Sequence, residues 1–567
     1  MGHSLLASIY LVMRQHDKAV VEAERAVALN PNGAAAYSAL AGIVGCAGRW
    51  GESISYSKQS MRLNPFPEPM DYWILGRAYF MTGQFDDAIV ALRKALQLNQ
   101  NFLPAHIFLA ASYSSAGRDV EASSATKEVL LIDPKFNIES YAKSVPYKNK
   151  ADIEREVSAL RKAGLPDKPP LPLPDKPSIA VLPFANMSDD KSQEYFSDGL
   201  TEEIITALSK TPKLFVIARN SSFVYKGKPV NVQQVSRELG VKYVLEGSVR
   251  KSGDQLRITA QLIDATIGNH LWAERYDREI KDVFAIQDEI TLRIMTALQV
   301  ELTDGERARI GAKGTENLQA YLKLLQAREP YYTVTKEGFA QARRLLEEAI
   351  AIDPNYAAAY VYLGSTHYMD VLMGSSKSPS ESLKRAFEFI TKAKALDDSY
   401  ALAHSLMGFL YCMTGQHVQG ISECERAIGL EPNSANAHIW MGLVLTYSGR
   451  HEEAVRHAEQ ALRLDPFPPP WYFLGMGQAY FGAGRYEEAI ASYKKTLQRT
   501  PDDIVTHSAL ASAYSCAGRL EEARAQAAEI LRIKPNFSVE QSAKTSLWKN
   551  QADGERFYGG LRKAGLN

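Results

Sequence analysis

Apolar and polar positions follow two different periods along this chain. In one stretch, apolar residues alternate with polar ones, as they do in a half-buried strand: Leu256, Ile258, Ala260 and Leu262. Shortly after it, apolar residues recur at every fourth position, as on the buried face of a helix: Ile286, Ile290, Ile294 and Leu298. This pattern predicts a compact α/β unit over residues 177–302, between two long stretches of helical character.

The α/β unit is predicted to contain five strands and three helices. The predicted strands are 178–184, 213–219, 243–249, 255–263 and 270–277, and the predicted helices are 194–210, 232–239 and 283–302. Lys251 to Asp254 is predicted as a four-residue hairpin loop, with Gly253 in a turn position.

Both flanking stretches repeat with a period of about 34 residues. Each repeat has a small residue followed by an aromatic one, a glycine at a turn, and two alanines; in the third repeat these are Gly76, Tyr79, Gly83, Ala88 and Ala95. Small residues let two antiparallel helices approach closely, and the glycine ends the first helix. A proline then stops the second helix in most repeats. The pattern predicts four repeats before the α/β unit and six after it.

This skeleton identifies both flanking stretches as members of the tetratricopeptide repeat family. The predicted fold is mainly α, with two tetratricopeptide α-solenoids flanking one small α/β domain. The predicted domains are a capped array over 1–165, a proline-rich linker over 166–176, the α/β domain over 177–302 and a second capped array over 315–567. Six prolines within residues 166–177 indicate a semi-rigid polyproline II spacer, which we favour over an SH3-type ligand.

The first array is a copy of the end of the second array. Residues 3–165 align without a gap on residues 404–566, so that Asn64 meets Asp465 and Leu165 meets Leu566. The first array therefore corresponds to the last four repeats and their cap. Its first residues are predicted to fall inside a helix, which raises the hypothesis of an upstream segment or partner.

Four short sequence segments in the α/β domain resemble the TolB amino-terminal-like (FlgO-like) domain of bacterial proteins. They are Ile179 to Phe184, Phe196 to Ile205, Tyr243 to Val249 and Leu271 to Tyr276. The resemblance implies a non-catalytic sensing or docking domain and transfers no catalytic residue. In bacterial signalling proteins this domain often stands between a class III nucleotide cyclase domain and a tetratricopeptide array. The resemblance therefore also implies a link to a cyclase-type output.

Composition and charge argue against several classes of function. Sixty-five basic residues balance sixty-five acidic ones, so no net charge favours nucleic acid or an anionic membrane. No window approaches 18 uninterrupted apolar residues, and the first residues lack the basic start and apolar core of a signal peptide. We therefore predict a cytoplasmic protein without membrane insertion. Its four cysteines form no C-x-x-C motif and are predicted to be reduced thiols.

The sequence contains no recognisable catalytic or cofactor-binding motif. G-x-x-x-x-G-K-[ST], G-x-G-x-x-G and G-x-S-x-G are all absent. Gly311 to Thr315 is predicted to be linker rather than a phosphate loop. Asp198, Glu202 and Glu203 open a predicted helix, where carboxylates are favoured as caps. We therefore predict no catalytic residue and no cofactor.

The histidines are predicted to be structural. Five of them share the fourth position of a repeat's first helix: His3, His106, His404, His438 and His507. His451 and His457 lie six residues apart on one helix, so they face different directions and cannot share a metal ion. No metal site is predicted.

The inner groove of the repeats is the predicted binding site. In this family, positions 2, 5, 9, 12 and 13 of each first helix line the groove, and the resemblance carries these positions over. The residues obtained are Trp73, Arg77 and Phe80 in the first array, and Phe409, Met413, Asn436, Leu443, Tyr447, Trp471, Gln478 and Phe481 in the second. Such an apolar and aromatic groove suits an extended or helical segment with apolar anchors. The alternative, that these residues pack between repeats, stays open.

These features favour a non-catalytic scaffold that binds a protein or peptide segment in bacterial signal transduction. A cyclase or another signalling domain is the predicted type of partner. One alternative is an enzyme whose site joins Asp198, Glu246 and Asp264 in one pocket. The other is a small-ligand sensor, in which the α/β domain binds a nucleotide or a metabolite.

Overall fold

The computed structural model describes residues 2–303, 306–307 and 314–567. The chain divides into two compact units, Met1–Pro170 and Leu171–Asn567. The first unit holds the first array, and the second unit holds the α/β domain together with the second array. Residues 311–313 of the predicted linker lie outside the described residues.

The first unit consists of four antiparallel helix pairs and two terminal helices. The pairs are Gly2–Val12 with His16–Leu29, Ala34–Cys46 with Trp50–Leu63, Pro69–Met81 with Phe85–Leu98, and Leu103–Ser115 with Asp119–Ile132; the terminal helices are Ile138–Ser144 and Lys150–Lys162. The last helix packs on Leu103–Ser115, so it covers the end of the array, as a capping helix does.

Small residues set the spacing within each helix pair. A Cβ atom added at Gly76 would lie 2.6 Å from Cγ of Leu92, which is too close for two carbon atoms. On the facing helix, Ala88 and Ala95 are completely buried. The small residues of the repeat pattern therefore have the predicted role, because larger side chains at these positions would force the two helices apart.

The α/β domain is built on a six-stranded sheet. Its strands are β1 (Ser178–Val181), β2 (Ala185–Asn186), β3 (Phe215–Val216), β4 (Tyr243–Ser252), β5 (Gln255–Asp264) and β6 (Asn269–Glu279). The order across the sheet is β3-β1-β4-β5-β6, with β2 paired to β4. Strands β3, β1 and β4 run parallel to one another, whereas β4, β5 and β6 form an antiparallel meander.

Helices cover both faces of the parallel part of the sheet. Glu194–Ser209 and Val283–Ala297 pack on the face that carries Ile179 and Val181. Val232–Leu239 packs on the opposite face, which carries Ala180 and Leu182. Two short 3₁₀ helices, Lys191–Gln193 and Ile280–Asp282, and one short α-helix, Arg219–Phe223, complete the domain.

The structure corrects some of the predicted boundaries in the α/β domain. The predicted strand 213–219 is only the two-residue β3, because the chain leaves the sheet at Ile217 and forms the helix Arg219–Phe223. The predicted helix 283–302 ends at Ala297. The hairpin loop is shorter than predicted, since Ser252 still pairs with Gln255 and only Gly253 and Asp254 form the turn.

The second array consists of six helix pairs and two terminal helices within the described residues. The pairs are Leu318–Tyr332 with Lys336–Ile352, Ala357–Leu372 with Pro379–Leu396, Ala401–Met413 with His417–Leu430, Ala435–Tyr447 with His451–Leu464, Pro470–Gly482 with Tyr486–Leu497, and Ile504–Cys516 with Leu520–Ile533; the terminal helices are Val539–Lys544 and Gln551–Lys563. The last four pairs reproduce those of the first unit, as the alignment of the two arrays requires.

The α/β domain packs against its array at two places. At the first, the buried Glu202 carboxylate is 3.0 Å from Nε of Arg219 and accepts a hydrogen bond of 2.6 Å from the Tyr332 hydroxyl. Arg328 adds a second guanidinium 3.7 Å from the same carboxylate. Because Tyr332 and Arg328 belong to the first helix of the array, this buried cluster joins the domain to its first repeat.

At the second place, the domain packs on loops that connect later repeats. Arg463 donates hydrogen bonds to the carbonyl oxygens of Leu239 and Gly240, at 3.0 and 2.9 Å. Asp465 accepts hydrogen bonds from Asn220 and Ser221, at 2.8 and 2.5 Å. The second unit is therefore held together by polar contacts that sequence periodicity does not reveal.

Candidate protein-binding groove

The first unit contains a cavity of about 530 Å³ between the first helices of its first three repeats. Its walls include Ser8, Ala39, Gly42, Met70 and Arg77, which come from all three of these helices. A Cβ atom at Gly42 would meet nothing closer than 3.6 Å, so the missing side chain there contributes open space. Two of the predicted groove residues, Trp73 and Arg77, line this cavity.

Arg77 is the basic residue of this cavity, whose walls also include Glu68 and Asp71. Its side chain is buried, with 5% of the residue exposed. The guanidinium lies 4.4 Å from the ring of Trp73 and 5.6 Å from that of Trp50, and Nη2 donates a 3.3 Å hydrogen bond to the Gly42 carbonyl oxygen. Nε of Arg77 and Nε1 of Trp73 have no hydrogen-bond partner among the described residues. Two buried donors in the wall of the cavity are thus unpaired among the described residues.

A smaller cavity of about 200 Å³ adjoins Arg77 and Trp73 on the side of the terminal helices. Near it, the Glu156 carboxylate accepts hydrogen bonds from the hydroxyls of Tyr141 and Tyr147. Burial raises the pKa of Glu156, although both hydroxyls and the Arg77 charge act in the opposite direction. Arg77 therefore lies between two cavities, with a carboxyl group of raised pKa nearby.

The second array fills the corresponding space with its own side chains. Where the first array has Ser8, Ala39, Gly42, Cys46 and Met70, the aligned residues are Phe409, Trp440, Leu443, Tyr447 and Trp471. The rings of Phe409 and Trp440 are 4.9 Å apart, and those of Trp440 and Trp471 are 5.1 Å apart. Gln478 stands in place of Arg77. The two copies thus differ at the groove.

The remaining predicted groove residues fall into two groups. Phe80 and Phe481 are interior, as Phe80 packs on Phe85 and Phe108 while Phe481 packs on Phe557 and Trp548 of the cap. The other group lies along the packed aromatic row or beside it: Met413, Asn436, Leu443, Tyr447 and Gln478.

Sequence reasoning missed the small residues that open the cavity. Ala39 and Gly42 line the cavity. Small residues carry no anchoring side chain, so the sequence pattern alone does not mark them as groove residues. The available signal was the gap-free alignment, which places Trp440 and Leu443 opposite them. The open volume of the groove therefore depends on its small residues as well as on its large ones.

The carboxylates proposed for an enzyme site each have a separate partner. Asp198 accepts a 2.7 Å hydrogen bond from Nζ of Lys226, and burial raises its pKa. Glu246 accepts a hydrogen bond from the neighbouring strand's Gln261. Asp264, at the end of β5, accepts one from the Thr266 hydroxyl. The structure gives these three carboxylates different neighbours and does not bring them together.

The histidines make local contacts within the repeats. His404, His438 and His507 each place Nε2 within 3.2 Å of a backbone carbonyl oxygen six residues earlier. No group of three or more His, Cys, Asp or Glu side chains within the described residues is arranged to hold a metal ion. All four cysteines are free thiols.

We expect the second unit to lose stability as the pH falls from about 6.5 to about 4. Nδ1 of His438 and Nδ1 of His457 are 3.0 Å apart, and burial lowers the pKa of His438 from 6.5 to about 4. The unfolded chain therefore binds this proton first, so the free energy of unfolding is highest above pH 6.5. It decreases by roughly 2–3 kcal/mol towards pH 4.

The test compares urea unfolding at pH 7 and pH 4.5 with that of the double variant His438→Tyr, His457→Tyr. This variant reproduces the first array, where Tyr37 and Tyr56 occupy the aligned positions with ring centroids 6.2 Å apart. The variant should lose this part of the pH dependence. An unchanged pH dependence would contradict the assignment to this pair.

Family models match three stretches of the arrays and most of the α/β domain. Residues 79–143 and 480–547 match one tetratricopeptide repeat model, and residues 439–504 match another. With the observed helix pairs, these matches show that the chain carries two tetratricopeptide arrays around a small α/β domain. Residues 175–293 match a model described as the second domain of HilA/YgeH-like transcriptional regulators. That description differs from the TolB resemblance, which stays a prediction.

A curated relative gives the more particular likeness. The chain is 48% identical over 237 residues to a protein of Rhizobium meliloti (strain 1021) named "Putative adenylate cyclase 3". The match covers 42% of this chain and 40% of that protein, so the chain spans less than half the length of the relative it matches.

Solved structures that resemble the chain have low overall similarity. The APC/C hetero-tetramer Cut9-Hcn1 is 14% identical with a TM-score of 0.34, covering 99% of this chain and 95% of that one. A tetratricopeptide protein of Thermus thermophilus is 23% identical with a TM-score of 0.28, covering 34% of this chain and 98% of that one. Among the described helices, none combines the length and the hydropathy needed to cross a membrane.

Proposed function

We propose that this protein is a non-catalytic scaffold whose first array binds a segment of a partner protein in its inner groove. The cavity of about 530 Å³ around Arg77 is the observation that carries this proposal. Its size falls within the range of pockets that hold small ligands or anchoring side chains, roughly 300–1,000 Å³. Tetratricopeptide repeats are protein-binding folds, which makes a protein segment the natural occupant.

The chemistry of the cavity defines the segment it would accept. Its walls offer apolar surface from Leu11, Ile43 and Ile74, which suits an apolar or aromatic anchor. Nε of Arg77 and Nε1 of Trp73 supply two donors, so the segment should present hydrogen-bond acceptors beside the anchor. Backbone carbonyl oxygens of an extended segment meet this requirement without any particular sequence.

The signalling context is part of the same proposal. The Rhizobium meliloti relative is named as an adenylate cyclase, and it extends well beyond the matched region. We place this scaffold in a signalling pathway with a cyclase-type output. The TolB resemblance of the α/β domain supports the same context.

Replacing Gly42 with leucine tests the groove directly. The change introduces the residue that the second array has at the aligned position, Leu443, and fills part of the cavity. Leucine also favours the helix over glycine by roughly 0.5–1 kcal/mol, so the variant should fold at least as well. We expect partner proteins captured from a native lysate, and quantified by mass spectrometry, to be retained at least tenfold less.

Gly51→Leu is the matched control for this experiment. Gly51 is exposed, and a Cβ atom added there would meet nothing within 4 Å. This variant makes the same chemical change on a helix surface away from the cavity and should retain partners as the unmodified protein does. Equal retention by Gly42→Leu and Gly51→Leu would refute binding in the groove.

A further inference from the structure

The loops that hold the α/β domain in the second unit have counterparts in the first unit. We call this set of loop residues in the second array the docking edge: Asn433, Arg463, Leu464, Asp465 and Phe467. The aligned residues of the first array are Asn32, Arg62, Leu63, Asn64 and Phe66. Four of the five are identical, and the fifth exchanges Asp465 for an asparagine, whose carbonyl oxygen can still accept a hydrogen bond.

Each residue of the docking edge contacts the α/β domain. Arg463 lies over the Phe215 ring at 4.4 Å and donates to three backbone carbonyl oxygens, those of Pro172, Leu239 and Gly240. Asn433 donates a 2.8 Å hydrogen bond to the Thr211 carbonyl oxygen.

The middle of the edge binds the short helix that follows β3. The Leu464 carbonyl oxygen accepts a 2.9 Å hydrogen bond from the Ala218 backbone N–H. Asp465 accepts from Asn220 and Ser221, and the Phe467 backbone N–H donates to the Ser221 hydroxyl at 2.7 Å. The edge thus recognises backbone groups and short polar side chains, which a related domain would also present.

In the first array, three of the five aligned residues are exposed, and Leu63 and Asn64 are half-buried. Asn433 is 2% exposed, whereas its counterpart Asn32 is an exposed residue. Phe467 is 40% exposed and Phe66 is 85% exposed. Arg62 is exposed as well.

A second face of the first array shows the same difference. In the second array, Leu406, Met407 and Leu410 are at most 5% exposed, because the preceding repeat, Ala357–Leu396, packs on them. The aligned residues Leu5, Leu6 and Ile9 are 66%, 36% and 48% exposed. The first array therefore exposes residues whose counterparts in the second array are covered by the α/β domain and by the preceding repeat.

We propose that the first array docks a second module of the kind formed by residues 171–401. Such a module would place its α/β domain on Asn32, Arg62 and Asn64 and its second repeat on Leu5 and Ile9. Asn64 also lines the groove cavity, whereas Leu5 and Arg62 do not. Substitutions at Leu5 and Arg62 therefore test this surface independently of the Gly42→Leu result.

The test is reconstitution from separate chains, with the second array as the reference. Residues 171–401 retain two cores whose buried residues all lie within that range, whereas a third core is divided between this segment and residues 402–567. The first unit, residues 1–170, likewise has cores of its own. Residues 171–401 are mixed with residues 402–567 as the positive control and with residues 1–170 as the test, and association is measured by sedimentation velocity. Circular dichroism confirms that each chain is folded.

We expect residues 171–401 to form a one-to-one complex with both arrays, and with the intact protein through its first array. Leu5→Asp combined with Arg62→Glu should weaken the complex with residues 1–170, and with the intact protein, at least tenfold. Both substituted side chains are exposed, so the variant should remain folded. Val120→Asp, at a residue that is 83% exposed on the last repeat's second helix, is the matched control.

Two outcomes would overturn the proposal. One is association of residues 171–401 with residues 402–567 but not with residues 1–170 at the same concentrations. The other is a complex with residues 1–170 that the Leu5→Asp, Arg62→Glu variant leaves unchanged, because binding would then use another surface.

Discussion

Replacing Glu202 with alanine is expected to lower the free energy of unfolding of the second unit by about 3–5 kcal/mol. The carboxylate is buried between the guanidinium groups of Arg219 and Arg328 and accepts a hydrogen bond from Tyr332. Its removal leaves the buried guanidinium of Arg328 and the partly buried guanidinium of Arg219 without their shared partner. Removing only one partner of a buried ion pair is costly, because the charges that remain lose their partner and are not rehydrated.

The measurement is urea unfolding followed by tryptophan fluorescence and circular dichroism. The transition of the first unit is an internal reference, since Glu202 lies outside it. Glu203→Ala is the matched control, because Glu203 contacts Arg328 at 2.9 Å but its side chain is 30% exposed. Partial exposure limits its contribution to about 1 kcal/mol. Equal losses for the two variants would show that the Glu202 cluster does not hold the unit together.

The same cluster gives the second unit an acid-sensitive element. Burial raises the pKa of Glu202, but Arg328 and Arg219 outweigh burial and hold the pKa below its usual value of 4.5. A depressed pKa in the folded state contributes stability above pH 4.5, and this contribution is lost as the pH falls through the folded-state pKa. The Glu202 contribution is thus present in full at neutral pH.

Phe481→Ala should lower the free energy of unfolding of the second unit by a similar amount, about 3–5 kcal/mol. Phe481 is 1% exposed, and its ring lies 5.8 Å from that of Phe557 and 6.4 Å from that of Trp548. Both neighbours belong to the cap, so the substitution leaves a cavity where the last repeats meet it. Hydrogen exchange of the helix Gln551–Lys563 should therefore increase together with the loss of stability.

The aligned residue Phe80 provides a parallel experiment in the first unit. It is completely buried and packs on Phe85 and Phe108, so Phe80→Ala should destabilise the first unit and leave the second unchanged. Val120→Ala, at an exposed position, should change stability by less than about 0.5 kcal/mol. A loss below about 1 kcal/mol for both phenylalanines would mean that these rings are not part of the repeat cores.

Much of the fold could be predicted from sequence because its signals are local. The predicted helix 232–239 is observed at Val232–Leu239, where the Asn231 side chain caps the first turn and Gly240 ends the helix with φ 62°. The repeat skeleton likewise marks helix ends by glycine and proline. Such signals depend on neighbours within a few residues, which the sequence shows directly.

The errors arose where distant residues decide the structure. The strand predicted at 213–219 is only Phe215–Val216, because Ala218 donates its backbone hydrogen bond to Leu464, far along the chain. The groove shows the same limit. Trp73 and Arg77 could be placed by family position, but the cavity depends on what three neighbouring helices leave open. The alternation and spacing of apolar residues in the sequence do not show how much space the folded helices leave open.

The presence of two similar arrays in one chain has a consequence for biosynthesis. Translation releases the first array from the ribosome before the α/β domain, and the second array only afterwards. The newly made domain is therefore present together with a near-copy of its docking edge, including Arg62 and Asn64, while Arg463 and Asp465 have not yet been synthesised. The docking edge that the domain occupies in the folded protein thus becomes available only after the domain itself has left the ribosome.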